Sequence, residues 1–207
     1  MRLAHYLRLQ DLQFDWKAVL AIITTTLILI LDYYEQLFSN PDLQNLVLFL
    51  IIPLAIIVLV FREKPQNYGF RIGDWKAGLI LTAIACVGIT VVMLYLAKTS
   101  PFENYYDSSQ SPWQVLRSTA IEMIGWEFFF RGFLLFSLYR IAGANALFLQ
   151  AVPFSLAHLS KPEVETFSTI FGGAAFGFVA WRTNSFLYPF LIHTYLATLT
   201  VLVANAG

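Results

Sequence analysis

The stretch Trp75-Lys76-Ala77-Gly78-Leu79-Ile80-Leu81-Thr82-Ala83-Ile84-Ala85-Cys86-Val87-Gly88-Ile89-Thr90-Val91-Val92-Met93-Leu94-Tyr95-Leu96-Ala97 decides the fold. From Ala77 to Ala97 it carries no charged side chain, and Lys76 and Lys98 stand at its two ends. An α-helix needs ~20 apolar residues to cross a hydrocarbon layer of ~30 Å. Only a helix or a closed barrel satisfies its backbone polar groups there. The stretch therefore predicts a transmembrane helix, and its neighbours repeat the pattern. Apolar runs at about Trp16–Leu37, Leu43–Phe61, Pro112–Ile141, Ala144–His158, Val164–Trp181 and Phe186–Ala204 bring the expected number of spans to about seven. The fifth of them, Ala144–His158, is short.

The whole chain agrees with this reading. Of its 207 residues, 58% are hydrophobic and 13% charged, about half the charged share of an ordinary soluble domain. The charges crowd into the connections. The expected class is all-α, a polytopic membrane helical bundle. Residues 1–15 read as an interfacial segment, with Met1 to Phe14 helical and Leu3, Tyr6, Leu7 and Leu12 toward lipid. Asp11 and Asp15 interrupt what would otherwise be the apolar part of a signal peptide. Residues 16–111 hold three spans, and 112–204 hold a four-span core. A net charge of zero with no basic block excludes a nucleic-acid partner. The lone Cys86 forms no internal disulfide and reads as a small buried hydrophobe.

Local signals mark several helix ends. Ser111-Pro112-Trp113-Gln114 reads as a capping box with proline at the first helical position, and Ser160-Lys161-Pro162-Glu163 repeats the logic. Gly143 suits the end of the fourth span. Gly173 and Gly177 form a GxxxG spacing, which favours close helix packing. Arg2, Arg8, Lys17, Arg62, Lys64, Arg71, Lys76, Arg140 and Arg182 fall to one side of the membrane in this topology, against Lys98 and Lys161 on the other. The bias predicts a cytoplasmic N-terminus.

Few ionisable groups remain inside the spans. Arg117, Glu122, Glu127 and Arg131 lie on the fourth, His158 ends the fifth, and His193 sits in the seventh. A charge at mid-bilayer costs ~2.5–3.5 kcal/mol on insertion scales, so such residues mark function or structural pairing. Glu127 and Arg131 are four apart and share a face, where they can pair. Glu122 precedes Glu127 by ~7.5 Å along the axis and ~140° around it, and shares its face with Trp126. Carboxylate and imidazole together can take a proton from water and return it to a leaving group. Arginine or a second histidine can stabilise an oxyanion. Two histidines and a carboxylate also suit zinc, so residue type leaves a divalent metal open, and none is assigned. His5 carries no specific expectation. Glu163 and Glu165 sit at a helix start, where they suit the helix dipole.

Trp126-Glu127-Phe128-Phe129-Phe130-Arg131-Gly132, Phe154-Ser155-Leu156-Ala157-His158, and His193 following Tyr188-Pro189-Phe190-Leu191-Ile192 resemble, in order, the three motifs of the CAAX protease and bacteriocin-processing family of intramembrane proteases. The resemblance runs from roughly Trp113 to Ala204. It implies a membrane-embedded, glutamate-type endopeptidase without a cofactor. Its substrate would be a membrane-associated or lipidated protein or peptide, and its location a bacterial inner membrane. In the family the first glutamate and the second-motif histidine activate water. The second glutamate and the arginine support the site, and the third-motif histidine and an asparagine stabilise the oxyanion. Carried over, these roles fall to Glu127 and Arg131 as supports, His158 at the water and His193 at the oxyanion. Two positions depart from the pattern: Trp126 stands where the first glutamate is expected, and Ala197 where the asparagine is. Glu122 or Glu127 is then expected to supply the carboxylate base, with Glu122 favoured, and Thr194 or Thr198 the lost donor. The alternatives are a non-catalytic relative that binds a peptide or membrane protein in the same cavity, and a small transporter or proton relay. No internal repeat of the transporter kind supports the last.

Overall fold

The computed structural model describes residues 13–96, 99–106 and 108–205. The expected interfacial helix lies almost wholly outside them, as do His5, Lys98, Arg2 and Arg8. Among the described residues there are helices and no strands. Helix α1 is Trp16–Tyr34, opened by Asp15, whose side chain accepts from the Lys17 and Ala18 amides. Helix α2 runs from Pro41 to Val60, capped by Asn40. Helix α3 is Trp75–Leu96, and the short α4 is Ser100–Tyr105. Helix α5 joins Pro112–Glu127, a π-helical turn Phe128–Leu134, and Leu135–Ala142. The arm α6 joins Ala146–Leu149 and Ala151–Leu156. Helices α7 and α8 are Glu163–Thr183 and Leu187–Ala204.

Six helical runs are long and apolar enough to cross a membrane, and one of these is the 45-residue run Pro112–Leu156. That run is a hairpin. Trp126 meets His158 and Phe130 meets Phe154, so contacts climb one arm as they descend the other. The reversal falls at Gly143, with φ +54° and ψ −136°, a combination open mainly to glycine. The expected fifth span is therefore the returning arm of that hairpin, and it is counted together with α5 in one of the six membrane-length runs among the described residues. From Gly143 to Leu156 it rises ~20 Å, and the turn after it carries the chain on to Lys161, at the opposite end from Arg140. It is held by α7. A Cβ on Gly173 would lie 2.9 Å from the Ala151 Cβ, and one on Gly177 2.7 Å from the Gln150 amide nitrogen. The GxxxG pair thus lets α7 and α6 approach closely, and Gln150 Nε2 donates to the Gly173 carbonyl at 2.8 Å.

The capping box at Ser111 and Gln114 is formed. Its expected counterpart at Ser160–Glu163 is not: Pro162 occupies the cap position without a side-chain bond. Thr166 Oγ1 instead donates back to the His158 carbonyl at 2.6 Å. This ties the motif-bearing turn to the first turn of α7.

The core is aromatic. Phe49, Phe128, Phe129, Phe130 and Phe133 are fully buried where α2 packs against α5. Pro53 lies inside α2, just after the π-helical turn Leu46–Ile51. Proline donates no amide hydrogen and crowds the carbonyl four residues earlier, and a widened turn relieves both problems. Helix α3 is peripheral, with Leu79, Ile80, Ile84, Val87, Val91 and Leu94 exposed, as a lipid-facing helix requires. At one end of the bundle Arg140 pairs with Asp15 and Glu63, Lys17 pairs with Glu63, and Arg182 pairs with Asp74. At the other end Tyr106, Ser108, Lys161, Glu165 and Asn205 gather. The described basic connections therefore share one end, as the charge bias predicts. Lys161 stands at the opposite end.

Candidate active site

Helices α5 and α8 cross with Thr119 against Thr198, their hydroxyls 2.7 Å apart, and Glu127 against His193 one to two turns further in. Fully buried Glu127 places Oε1 2.6 Å from His193 Nδ1 and 3.3 Å from Arg131 NH1. The π-helical turn Phe128–Leu134 begins directly after Glu127. Such turns re-aim side chains at functional positions. Here it carries Arg131 inward, fully buried, with its guanidinium 3.8 Å from the centre of the Phe154 ring and 5.3 Å from that of Phe176. The cation is held mainly by aromatic faces and by the charge of Glu127. Its nitrogens make no hydrogen bond to the described residues.

His158 follows α6 and is 6% exposed. Its Nδ1 lies 2.7 Å from the Phe154 carbonyl oxygen. A carbonyl only accepts, so Nδ1 carries the proton and Nε2 keeps its lone pair in the neutral ring. The ring lies tilted against Phe154, centroids 4.4 Å apart and planes 54° to each other, and meets Trp126 edge-on at 5.7 Å. Phe154 thus joins two parts of the site: its carbonyl fixes His158 and its ring carries Arg131.

A cavity of about 820 Å³ opens between α3, α5, α7 and α8. Its walls include Glu122, Trp126, His158, His193 and Ala197. Glu122 and Trp126 are one turn apart on the same wall, as their spacing predicts. Glu127 and Arg131 are not on the wall. They sit behind His193. Of the two expected carboxylate candidates, only Glu122 faces the cavity, and it is exposed to it. Thr194 and Thr198 do not line it either. The Thr198 hydroxyl is spent on Thr119, which does line it, and the Thr194 hydroxyl is buried without a partner among the described residues. The structure therefore brings Glu122, His158 and His193 to one surface and sets Glu127 and Arg131 one layer back. Among the described residues no three His, Cys, Asp or Glu side chains converge as a metal cluster.

Two features escape the sequence. Asn45, in the first turns of α2, reaches across to α5. Oriented to satisfy both ends of its amide, it donates to the Glu122 carbonyl and accepts from the Trp126 indole N–H, each at 3.1 Å. Nothing in its local sequence marks it, because its partners are about eighty residues away. Glu165 was expected only to complement a helix dipole, yet it lines the cavity and accepts from the Tyr106 hydroxyl at 2.8 Å. Lys161 Nζ in turn donates to the Tyr106 oxygen at 3.3 Å. Burial, and then Glu165, raise the Tyr106 hydroxyl far above the ordinary phenol value. It stays protonated and keeps that bond.

Residues 108–199 match a family model described as Rce1-like, type II CAAX prenyl endopeptidase. The match spans α5, the hairpin, α7 and most of α8, and so takes in Glu122, Trp126, Glu127, Arg131, His158, Glu165, His193 and Ala197, while Asn45 and Tyr106 lie outside it. No curated protein and no solved structure matches the chain.

Proposed function

We propose that this chain, whose residues 108–199 match the family model, is an intramembrane endopeptidase whose carboxylate base is Glu122. Its substrate is a peptide bond in a membrane-associated or lipidated protein or peptide. Water enters the cavity and is held between Glu122 and the Nε2 lone pair of His158. These two groups take its proton as it attacks the scissile carbonyl, and the proton passes to the leaving amine. His193 donates one ring proton to Glu127. When it carries the second, it presents that proton to the developing oxyanion. Arg131 balances the charge of Glu127 from behind, so that the dyad keeps its geometry while the substrate changes charge.

One observation carries this reading: two histidines, one in the turn after α6 and one on α8, open on the same cavity as Glu122, each with its Nδ1 tied behind it, one to a backbone carbonyl and one to a carboxylate. Such tethering fixes both tautomer and direction, which general acid–base chemistry needs.

The test is cleavage of a peptide library by the purified protein in detergent. Glu122→Gln and His158→Ala are each expected to lower the rate by ~10²–10⁴. Full activity in both variants refutes the assignment. A second reading, a non-catalytic relative that binds a peptide in this cavity, is favoured by Trp126, whose indole is fixed by Asn45 against His158, and by Ala197 on the cavity wall. It predicts saturable peptide binding that survives Glu122→Gln, with no product from the wild type.

A further inference from the structure

The connection between α2 and α3, residues 62–74, is fixed to the α7–α8 turn. The Phe186 amide donates to the Gly69 carbonyl, the Asp74 amide to the Thr183 carbonyl, and the Ser185 hydroxyl to the Arg71 carbonyl. A Cβ on Gly73 would lie 2.0 Å from the Thr183 carbonyl oxygen, so the two segments pack backbone to backbone. Yet this rigid surface shows large apolar side chains to the outside. Phe70, Ile72 and Trp75 are 41%, 67% and 54% exposed. Trp16, Tyr139 and Trp181 are exposed at the same end of the bundle. Tryptophan and tyrosine at helix ends mark the headgroup layer of a bilayer. Exposed Ile72 costs free energy in water and none at the apolar edge of that layer.

The charge here is one-sided. The described acids at this end are engaged: Asp15 and Glu63 pair with Arg140, and Asp74 pairs with Arg182 and caps α3 by accepting from the Ala77 amide. Arg62, Lys64, Arg71 and Lys76 are exposed and make no ion pair with a described residue. Arg71 is the most ordered of them. Its Nε donates to the Asn184 carbonyl at 3.1 Å, which anchors the guanidinium by one corner and leaves both Nη groups for a ligand. Two parallel N–H donors match the oxygens of a phosphate.

We propose that this surface binds an anionic phospholipid, its phosphate on the Arg71 Nη groups and its acyl chains along Ile72, Trp75 and the exposed face of α3, with Lys76 adding its charge from the first turn of that helix. The two characters of the ligand match those of the surface: basic groups meet the headgroup, and exposed Leu79 and Ile80, one turn further along α3, meet the chains. A soluble acidic partner would leave Leu79 and Ile80 unused. A zwitterionic lipid offers the same phosphate but carries a cation of its own, which the surplus of basic groups repels. The site lies at the opposite end of the bundle from Tyr106 and Lys161 and does not depend on hydrolysis.

The test uses the full-length protein in nanodiscs of equal parts phosphatidylglycerol and phosphatidylcholine, released for native mass spectrometry, which counts each lipid that stays bound. The wild type is expected to retain phosphatidylglycerol over phosphatidylcholine by about fivefold or more, the effect of one basic residue beside an anionic headgroup. Arg71→Gln and Lys76→Gln are each expected to lower that ratio by about fivefold. Arg117→Gln, exposed near the opposite end, is expected to leave it unchanged. Arg71→Lys keeps the charge and loses the paired donors, so its ratio should fall between those of Arg71→Gln and the wild type. Lys76 is exposed, so its variant should fold, and melting curves check every variant. Equal retention of the two lipids by the wild type overturns the proposal, as does a ratio that Arg71→Gln leaves unchanged or that Arg117→Gln lowers as much. A ratio in Arg71→Lys equal to the wild-type value overturns the placing of the phosphate on the Nη pair. Glycerol phosphate at the lipid's concentration is expected to displace nothing, and displacement by it marks a free-anion site and overturns the lipid assignment.

Discussion

Arg131→Ala tests how the site is held together. The guanidinium is fully buried, 3.3 Å from Glu127 and 3.8 Å from the centre of the Phe154 ring. Its removal leaves the Glu127 carboxylate buried with His193 as its remaining partner. Breaking a buried pair by deleting one member costs ~3–5 kcal/mol, and a desolvated cation–π contact contributes ~2 kcal/mol. The two overlap and are not summed. A loss of ~3 kcal/mol corresponds to a melting temperature lower by roughly 6–12 °C for a chain of this size. The assay is thermal unfolding in one detergent, on wild type, Arg131→Ala, Arg131→Met, Glu127→Gln and the Arg131→Met/Glu127→Gln double variant. Methionine keeps length and packing, so its loss isolates the charge. Removing both charges together is close to neutral for many buried pairs. The double variant should therefore be clearly more stable than the sum of the single losses implies. Strict additivity, or an Arg131→Ala protein that melts with the wild type, refutes the pairing argument.

Gly173→Leu should destabilise the fold by ~1–3 kcal/mol through overpacking, because its Cβ alone meets Ala151 at 2.9 Å and Phe154 at 3.0 Å. Gly172→Leu, one residue away in open space, should melt with the wild type. At the basic end, burial pushes the Glu63 carboxyl up, but hydrogen bonds from Lys17 and Tyr68 outweigh it and hold the group below its ordinary 4.5. Its stabilisation is then present above pH 4.5 and lost as pH falls through the lower folded value. Acid titration of the melting temperature should show a fall in that window, which flattens in Glu63→Gln. The partly exposed pair contributes no more than ~1 kcal/mol at neutral pH. Reporter fusions should place the connection 62–76 in the cytoplasm and 98–111 across the membrane, following the basic bias. Both connections on one side would overturn the span order.

The sequence by itself determined the class of the fold. Long apolar runs in water have no other outlet than a bilayer, and backbone hydrogen bonding then dictates helices. It also determined the helix start at Ser111, the end of a helix at Gly143 and the close packing at Gly173, because each depends on residues within one or two turns. The three motifs selected Glu127, Arg131, His158 and His193 by type and order. What those residues do to one another was decided only when α5, α6 and α8 met. Spacing along α5 leaves Glu122 and Glu127 as rivals for one role. The crossing of α8 sends Glu127 to His193 and leaves Glu122 facing the cavity. The short fifth run was ambiguous for the same reason, since a length near the spanning limit is resolved by what it packs against, here the small face of α7. The roles of Asn45 and Tyr106 had no sequence signal, because each rests on contacts between elements distant in the chain. Periodicity reports which side of a helix is apolar, and only tertiary packing decides which other helix that side meets.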